Sequence, residues 1–300
     1  MKNQKYKSQV KLLLDVLPEV AKEACFALHG GTAINLFIRD MPRLSIDIDL
    51  TYLPIEDRQT SLQKIDEALL RIKTRLERIL PQVQIQNLKE AGKLLIRSEG
   101  REIKIEVNLI MRGVLGTCER MILCNKAQDV YDVSVVMPIV PRGQLYGGKI
   151  CAALDRQHPR DLFDIKYLLE NEGFSDEIRQ GFLYCLLCSE RPINELIDPN
   201  FLDQNNAMQN QFLGMSDEPF TYDEFERIRT DLIRVIQNGL NAADKDFLLS
   251  IKNCEPDWRI YDLKNYPAIQ WKLQNLQKLK LSDPSKHIQL YNLLKKKLGH

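Results

Sequence analysis

Asp47 and Asp49, two residues apart, are the side chains in this chain best placed to do chemistry. They lie in Ser45-Ile46-Asp47-Ile48-Asp49-Leu50, where polar and apolar residues alternate. A strand of period two buries Ile46, Ile48 and Leu50 on one face and turns Ser45, Asp47 and Asp49 to the other. Side by side, the two acids repel each other unless a divalent cation bridges them, and hard oxygen ligands of this kind suit Mg²⁺ carrying substrate phosphates. Upstream, Gly30 and Gly31 follow the apolar run Cys25-Phe26-Ala27-Leu28, and Thr32 opens the helical stretch Ala33-Ile34-Asn35-Leu36-Phe37-Ile38. Glycines there let backbone N–H groups approach a phosphate, and a helix N-terminus adds a favourable dipole, so a triphosphate could sit on the turn. Taken singly, the acids also suit a solvated strand face, and a lone Gly-Gly is a weaker signal still.

A second group of charges follows. Lys149-Ile150-Cys151-Ala152-Ala153-Leu154-Asp155-Arg156 reads as a helix in which Lys149 and Arg156 share a face with Ala152 and Ala153, so a ligand could approach between two cations. Beyond His158-Pro159, the segment Arg160-Asp161-Leu162-Phe163-Asp164 opens another amphipathic helix, with Asp161 and Asp164 near its start, where the dipole favours acids. By itself this is capping and i,i+3 surface charge. Between the two groups, Glu102-Ile103-Lys104-Ile105-Glu106-Val107-Asn108-Leu109 alternates as a half-buried strand with Glu102 and Glu106 on its polar face.

The order Gly-Gly-Thr, helix, Arg43-x-Ser45-x-Asp47-x-Asp49, then K-x-x-A-x-x-x-R from Lys149 to Arg156 and R-D-x-x-D from Arg160 to Asp164, is far more specific than any part. It resembles the DNA polymerase β-type nucleotidyltransferases, and within them the AbiEii/AbiGii or MenT-type toxins of toxin–antitoxin and phage-defence systems. Pro256-Asp257-Trp258 and the segment from Pro267 to Leu276 also look like that family, so the resemblance covers nearly the whole chain. It implies that Gly30, Gly31 and Thr32 cradle a nucleoside triphosphate with Ser45, Lys149 and Arg156. Asp47 and Asp49 would hold Mg²⁺ or Mn²⁺, and Glu106 is the candidate third ligand, an open assignment because Glu reaches further than the Asp common at that place. Lys149 would neutralise triphosphate charge, and Asp161 would position the attacking hydroxyl or assist its deprotonation. Arg156 and Arg160 suit structural pairing with nearby acids equally well.

The activity so implied is transfer of NMP from an NTP to an RNA acceptor, the tRNA 3′ end, which would block translation, under the control of an antitoxin or regulator encoded nearby. NMP transfer to a protein or small molecule, and a non-catalytic binding protein of the same fold, are the alternatives. The expected fold is α+β, a polymerase β-like nucleotidyltransferase core with a mixed sheet and flanking helices, followed by a helical C-terminal half. Residues 1–145 would form the core, and 146–300 a mainly helical domain completing the active-site cleft.

The elements that must position these residues are legible in outline. Helices are predicted from Tyr6 to Ala24 and from Ile55 to Leu80, ended by Pro81, and strands near Val83–Leu88, Leu94–Arg97, Glu102–Ile110 and Val133–Val140. From Lys149 the pattern is helical, interrupted by an irregular Glu190–Pro219, and Thr221-x-x-Glu224 is a capping box. Trp258 and Trp271 read as core anchors. At 44% hydrophobic and 28% charged, the chain has an ordinary globular composition. With no apolar run of membrane-spanning length and no signal-peptide pattern at its start, it is expected in the cytoplasm without a membrane partner. Its seven cysteines are odd in number and scattered, which argues against a disulfide framework, and Cys185 and Cys188 lie in an apolar helical run that suits buried thiols better than zinc ligands. His29 could line the site, whereas His158, His287 and His300 have no partner spacing. A net charge of +1 excludes a strongly basic whole-chain footprint. The segment from Lys272 to His300, with seven lysines against Asp283, is locally basic; it is either a solvated helical tail or a phosphate-tracking surface for RNA.

Overall fold

Short alternating segments separated by helices pair into one seven-stranded sheet in the computed structural model, which describes residues 2–299. The strands are β1 (Phe26–His29), β2 (Asp47–Tyr52), β3 (Gln84–Leu88), β4 (Lys93–Ser98), β5 (Arg101–Asn108), β6 (Glu119–Ile122) and β7 (Val136–Ile139), in the order β3-β4-β5-β2-β1-β7-β6. The sheet is mixed. β1 pairs antiparallel with β2 and parallel with β7, β2 runs parallel to β5, and β3, β4 and β5 form an antiparallel meander. Ile48, Leu50, Leu94, Ile96, Ile103 and Ile105 are buried on one face, against helices α1 (Lys2–Val20) and α3 (Arg58–Ile79). Glu19 of α1 and Glu23, in the turn just beyond it, pair with Arg71 and Arg75 of α3 at 2.7 to 3.0 Å. The opposite face of β2, β5 and β4 carries Asp47, Asp49, Lys104, Glu106 and Lys93, all half-exposed.

The predicted strands are present within a few residues of their expected ends, and three elements are additional, the first being β1 on the apolar run before Gly30. β6 and helix α4 (Asn125–Tyr131) follow Cys118. As an edge strand with one partner, β6 leaves Glu119, Arg120 and Ile122 exposed and so shows no apolar alternation to read. Ser45 and Ile46 lie before β2 rather than in it. Their expected sides are exchanged: Ser45 is buried and Ile46 is half-exposed.

The chain divides into two units, Met1–Pro141 with Gln209–Pro219, and Arg142–Met208 with Phe220–His300. The second is helical: α5 (Arg142–Asp155), α6 (Pro159–Asn171), α7 (Asp176–Cys188), the short α8 (Ile193–Leu196) and α9 (Asn205–Ala207), then α10 (Tyr222–Gly239), α11 (Ala242–Lys252), α12 (Pro267–Ser282) and α13 (Pro284–Lys297). Helix α5 starts at Arg142, earlier than the sequence suggested, because Gly143 and Gly147 are contact points and not breakers. A Cβ on Gly181 of α7 would overlap the carbonyl of Gly143, so the two helices meet backbone to backbone. The supposedly irregular Glu190–Pro219 contains α8, α9 and a π-helical turn, Met208–Phe212. Its last part belongs to the first unit, where Ser216 forms a β-bridge with Arg43 and Leu44 N donates to Met215 O at 2.6 Å.

Thr221 caps α10 by accepting from Glu224 N, and Cys185 and Cys188 are buried in α7. Trp258 packs edge-on to Phe247, but Trp271 is no core anchor: it projects from α12 with 47% of its surface exposed. The lysine-rich tail forms α12 and α13, and His300 lies outside the described residues. Among the described residues, no helix is long and apolar enough to cross a membrane.

Candidate active site

The end of β1 and the start of β2 bring the glycine turn onto the carboxylate pair. These strands run antiparallel with His29 opposite Asp49, so Gly30 leaves the sheet beside that acid. Gly30 has φ +71°, and a Cβ there would overlap Asp49 Oδ2, so both its conformation and its surroundings require glycine. A Cβ on Gly31 would come within 2.8 Å of Arg43 Nη2 and 3.1 Å of Ser45 Oγ. The Thr32 hydroxyl donates to the backbone carbonyl of Asp47 and shares a hydrogen bond of 3.0 Å with Ser45 Oγ. The structure therefore brings together Gly30, Gly31, Thr32, Ser45, Asp47 and Asp49. The helix after the turn, α2 (Gly30–Ala33), is short and passes into a π-helical turn, Ile34–Ile38, in which Asn35 Nδ2 donates back to Gly31 O.

β5 adds its charges to the same sheet face. Asp47 lies opposite Lys104 and Asp49 opposite Glu106. Glu106 accepts from Lys93 at 2.9 Å and from Lys104 at 3.1 Å. Burial works against ionisation of Glu106, but the two lysines outweigh it and hold its carboxyl below the usual range. For Lys104, burial disfavours the charge, while Asp47, Glu106 and Asp49 together raise its pKa. Among the described residues no three His, Cys, Asp or Glu side chains converge as a ready metal cage. Two adjacent half-exposed carboxylates nonetheless suit a hard divalent cation whose remaining ligands are water and phosphate oxygens.

The second constellation is a buried ion cluster in the helical unit. Lys149 of α5, 5% exposed, donates to Asp161 at 2.8 Å and lies 2.9 Å from Asp164, both at the start of α6. Arg156, just past α5, donates to Asp161 through Nε at 2.6 Å and Nη2 at 3.0 Å. Burial opposes the Asp161 charge, yet Lys149 and Arg156 hold its carboxyl far below the ordinary range. His158, without a partner in the sequence pattern, caps α6 by accepting from Arg160 N, with Pro159 beginning the helix. Asp164, readable in sequence only as a helix-start charge, is a second partner of Lys149. Lys93 carried no local signal, since strand register brings it to Glu106, whereas Arg43, the first residue of the motif that ends at Asp49, is set beside Gly31 by the turn's geometry.

Residues 11–275 match the family described as nucleotidyl transferase AbiEii toxin, type IV toxin–antitoxin system. The chain belongs to this AbiEii nucleotidyltransferase family. Among solved structures it is similar to MenT4, a nucleotidyltransferase toxin from Mycobacterium tuberculosis H37Rv. The two share 15% identity with a TM-score of 0.62, over 92% of this chain and 94% of that one. At that identity the likeness concerns the fold, a mixed sheet with flanking helices and a helical C-terminal half. No curated protein is similar enough to count as a match. The AbiEii motifs therefore sit on a MenT-like fold, with the glycine turn and the acid pair in one place.

Proposed function

We propose that this AbiEii protein transfers NMP from an NTP to a hydroxyl of RNA, the tRNA 3′ end, and so blocks translation. The observation that carries the reading is the Asp47–Asp49 pair set against the Gly30–Gly31 turn, in a chain of a nucleotidyltransferase toxin family. Asp47 and Asp49 would hold a divalent cation, Mg²⁺ or Mn²⁺, which when bound supplies charge stabilisation for the triphosphate. Gly30, Gly31, Thr32 and Ser45 bind and orient the nucleotide. The acceptor oxygen bonds to the α-phosphorus, the bond to the β-phosphate oxygen breaks, and pyrophosphate leaves as the hydroxyl proton passes to base.

Lys149 and Arg156 are assigned to the nucleotide and Asp161 to the attacking hydroxyl. A carboxylate held so acidic by two cations is a weak base, which favours positioning over proton abstraction for Asp161. The protein would act in the cytoplasm, restrained by an antitoxin encoded nearby. The test is incubation with each α-labelled NTP, divalent cation and total RNA, alongside Asp47→Ala. Label in the tRNA band, absent with the variant, is the expected result; label in protein, or none, overturns the RNA assignment.

A further inference from the structure

The carboxylate pair faces a lysine from the neighbouring strand. Asp47 lies opposite Lys104, and Asp49 opposite Glu106, across the parallel β2–β5 pair. Register partners in adjacent strands turn to the same face of a sheet. Glu106 takes Lys104 on Oε2 at 3.1 Å and Lys93 on Oε1 at 2.9 Å, the latter from the strand beyond. Three acids and two ammonium groups thus share one patch. Side-chain exposures of 38% for Lys104 and 31% for Glu106 leave water only partly able to screen them.

This placement separates two jobs that a third carboxylate could do. With each oxygen of Glu106 against a lysine, the residue is engaged as an anchor for cations and not as an open ligand. Lys104, held by that anchor, is the positive charge that β5 brings beside two adjacent acids. A divalent cation arriving between Asp47 and Asp49 meets this ammonium as a like charge, so the two compete for the same carboxylates. Resting on the reading of Asp47 and Asp49 as the metal pair, we propose that Lys104 is their built-in counter-ion, which weakens binding of bare divalent metal. The empty site is then stabilised by its own lysine, and the metal enters together with the triphosphate, whose negative charge offsets Lys104. Glu106 serves by retaining Lys104 when the metal takes its place.

Mn²⁺ titration of the nucleotide-free protein, read by electron paramagnetic resonance or calorimetry, tests this without any turnover. Removing the competing charge in Lys104→Met should tighten Mn²⁺ binding about tenfold, whereas Lys104→Arg, which keeps the charge, should stay within about twofold of wild type. Melting curves check that each variant folds; Lys104→Gln substitutes for the methionine variant if that one does not. Unchanged or weaker Mn²⁺ binding in the neutral variants, with binding still lost in Asp47→Asn, overturns the counter-ion role alone. Wild-type Mn²⁺ affinity in Asp47→Asn overturns the metal pair itself and the counter-ion with it.

Discussion

Asp161 receives Lys149 on one oxygen and the Arg156 fork across both, while Lys149 also meets Asp164, so this cluster is stabilised only as a set. Lys149→Ala would leave two buried carboxylates without their shared cation. Breaking a buried pair in this way costs about 3–5 kcal/mol, so the variant should melt well below wild type as well as lose transfer. A wild-type melting temperature would place Lys149 outside the structural cluster. The depressed Asp161 pKa also has a direction in pH. Because the folded state binds fewer protons there than the unfolded state, the cluster stabilises the protein above the ordinary carboxylate pKa of about 4, and that contribution is lost as pH falls towards the folded value. Asp161→Asn should therefore flatten the fall of melting temperature below about pH 4; an acid limb as steep as wild type would refute this. At the other site, Asp47→Ala and Asp49→Ala should each lower transfer by at least about 100-fold with little loss of apo stability, since the like-charge repulsion relieved offsets the attraction to Lys104 that is lost. Retained turnover in either variant would remove these acids from the chemistry.

At the scale of elements, the contact of α5 with α7 decides where Lys149 stands. Gly143, Gly147 and Gly181 permit it, and Gly143 N donates to Glu177 Oε1 at 2.9 Å beside them. Since backbone cannot yield as a flexible side-chain end can, Gly181→Ala must push the helices apart, at a cost of about 1–3 kcal/mol. Chemical denaturation should show that loss, and a stability equal to wild type would mean the helices do not touch through these glycines. Gly30 is constrained differently, by a left-handed backbone and by Asp49 together. Short elements also matter: the bridge between Arg43 and Ser216 holds the approach to β2, and Ser216 Oγ donates to Pro42 O at 3.0 Å.

For the molecule as a whole, near-neutral net charge leaves polyanion binding to local patches. The C-terminal segment is one such basic patch, but part of its charge is already engaged. Lys272 donates to Arg191 O, Lys280 to Asn253 O, and Lys297 pairs with Asp198 at 3.0 Å. Lys295 and Lys296 are exposed on α13. Changing both to Gln should weaken RNA binding and make its salt dependence shallower by about two charges while NTP affinity stays the same. An unchanged salt slope would exclude this helix as the RNA surface and leave the tail as a solvated helix end.

The sequence by itself determined the reactive groups and their immediate frames. Period two in residues 46–50 and 102–109 already placed acids on strand faces, and the glycine pair with the K-x-x-A-x-x-x-R and R-D-x-x-D spacings was enough for the family. Such information is local, since spacing along a strand or helix fixes which side chains share a face. Tertiary structure decided what those groups touch. Register set Lys104 opposite Asp47 and closed Glu106 between two lysines, and helix packing made Asp164 and Arg156 partners in the Lys149–Asp161 cluster. It also put Trp271 outside the core and Ser45 inside it. No local pattern contains these outcomes, because pairing register, edge exposure and backbone-to-backbone contact depend on residues far away in sequence.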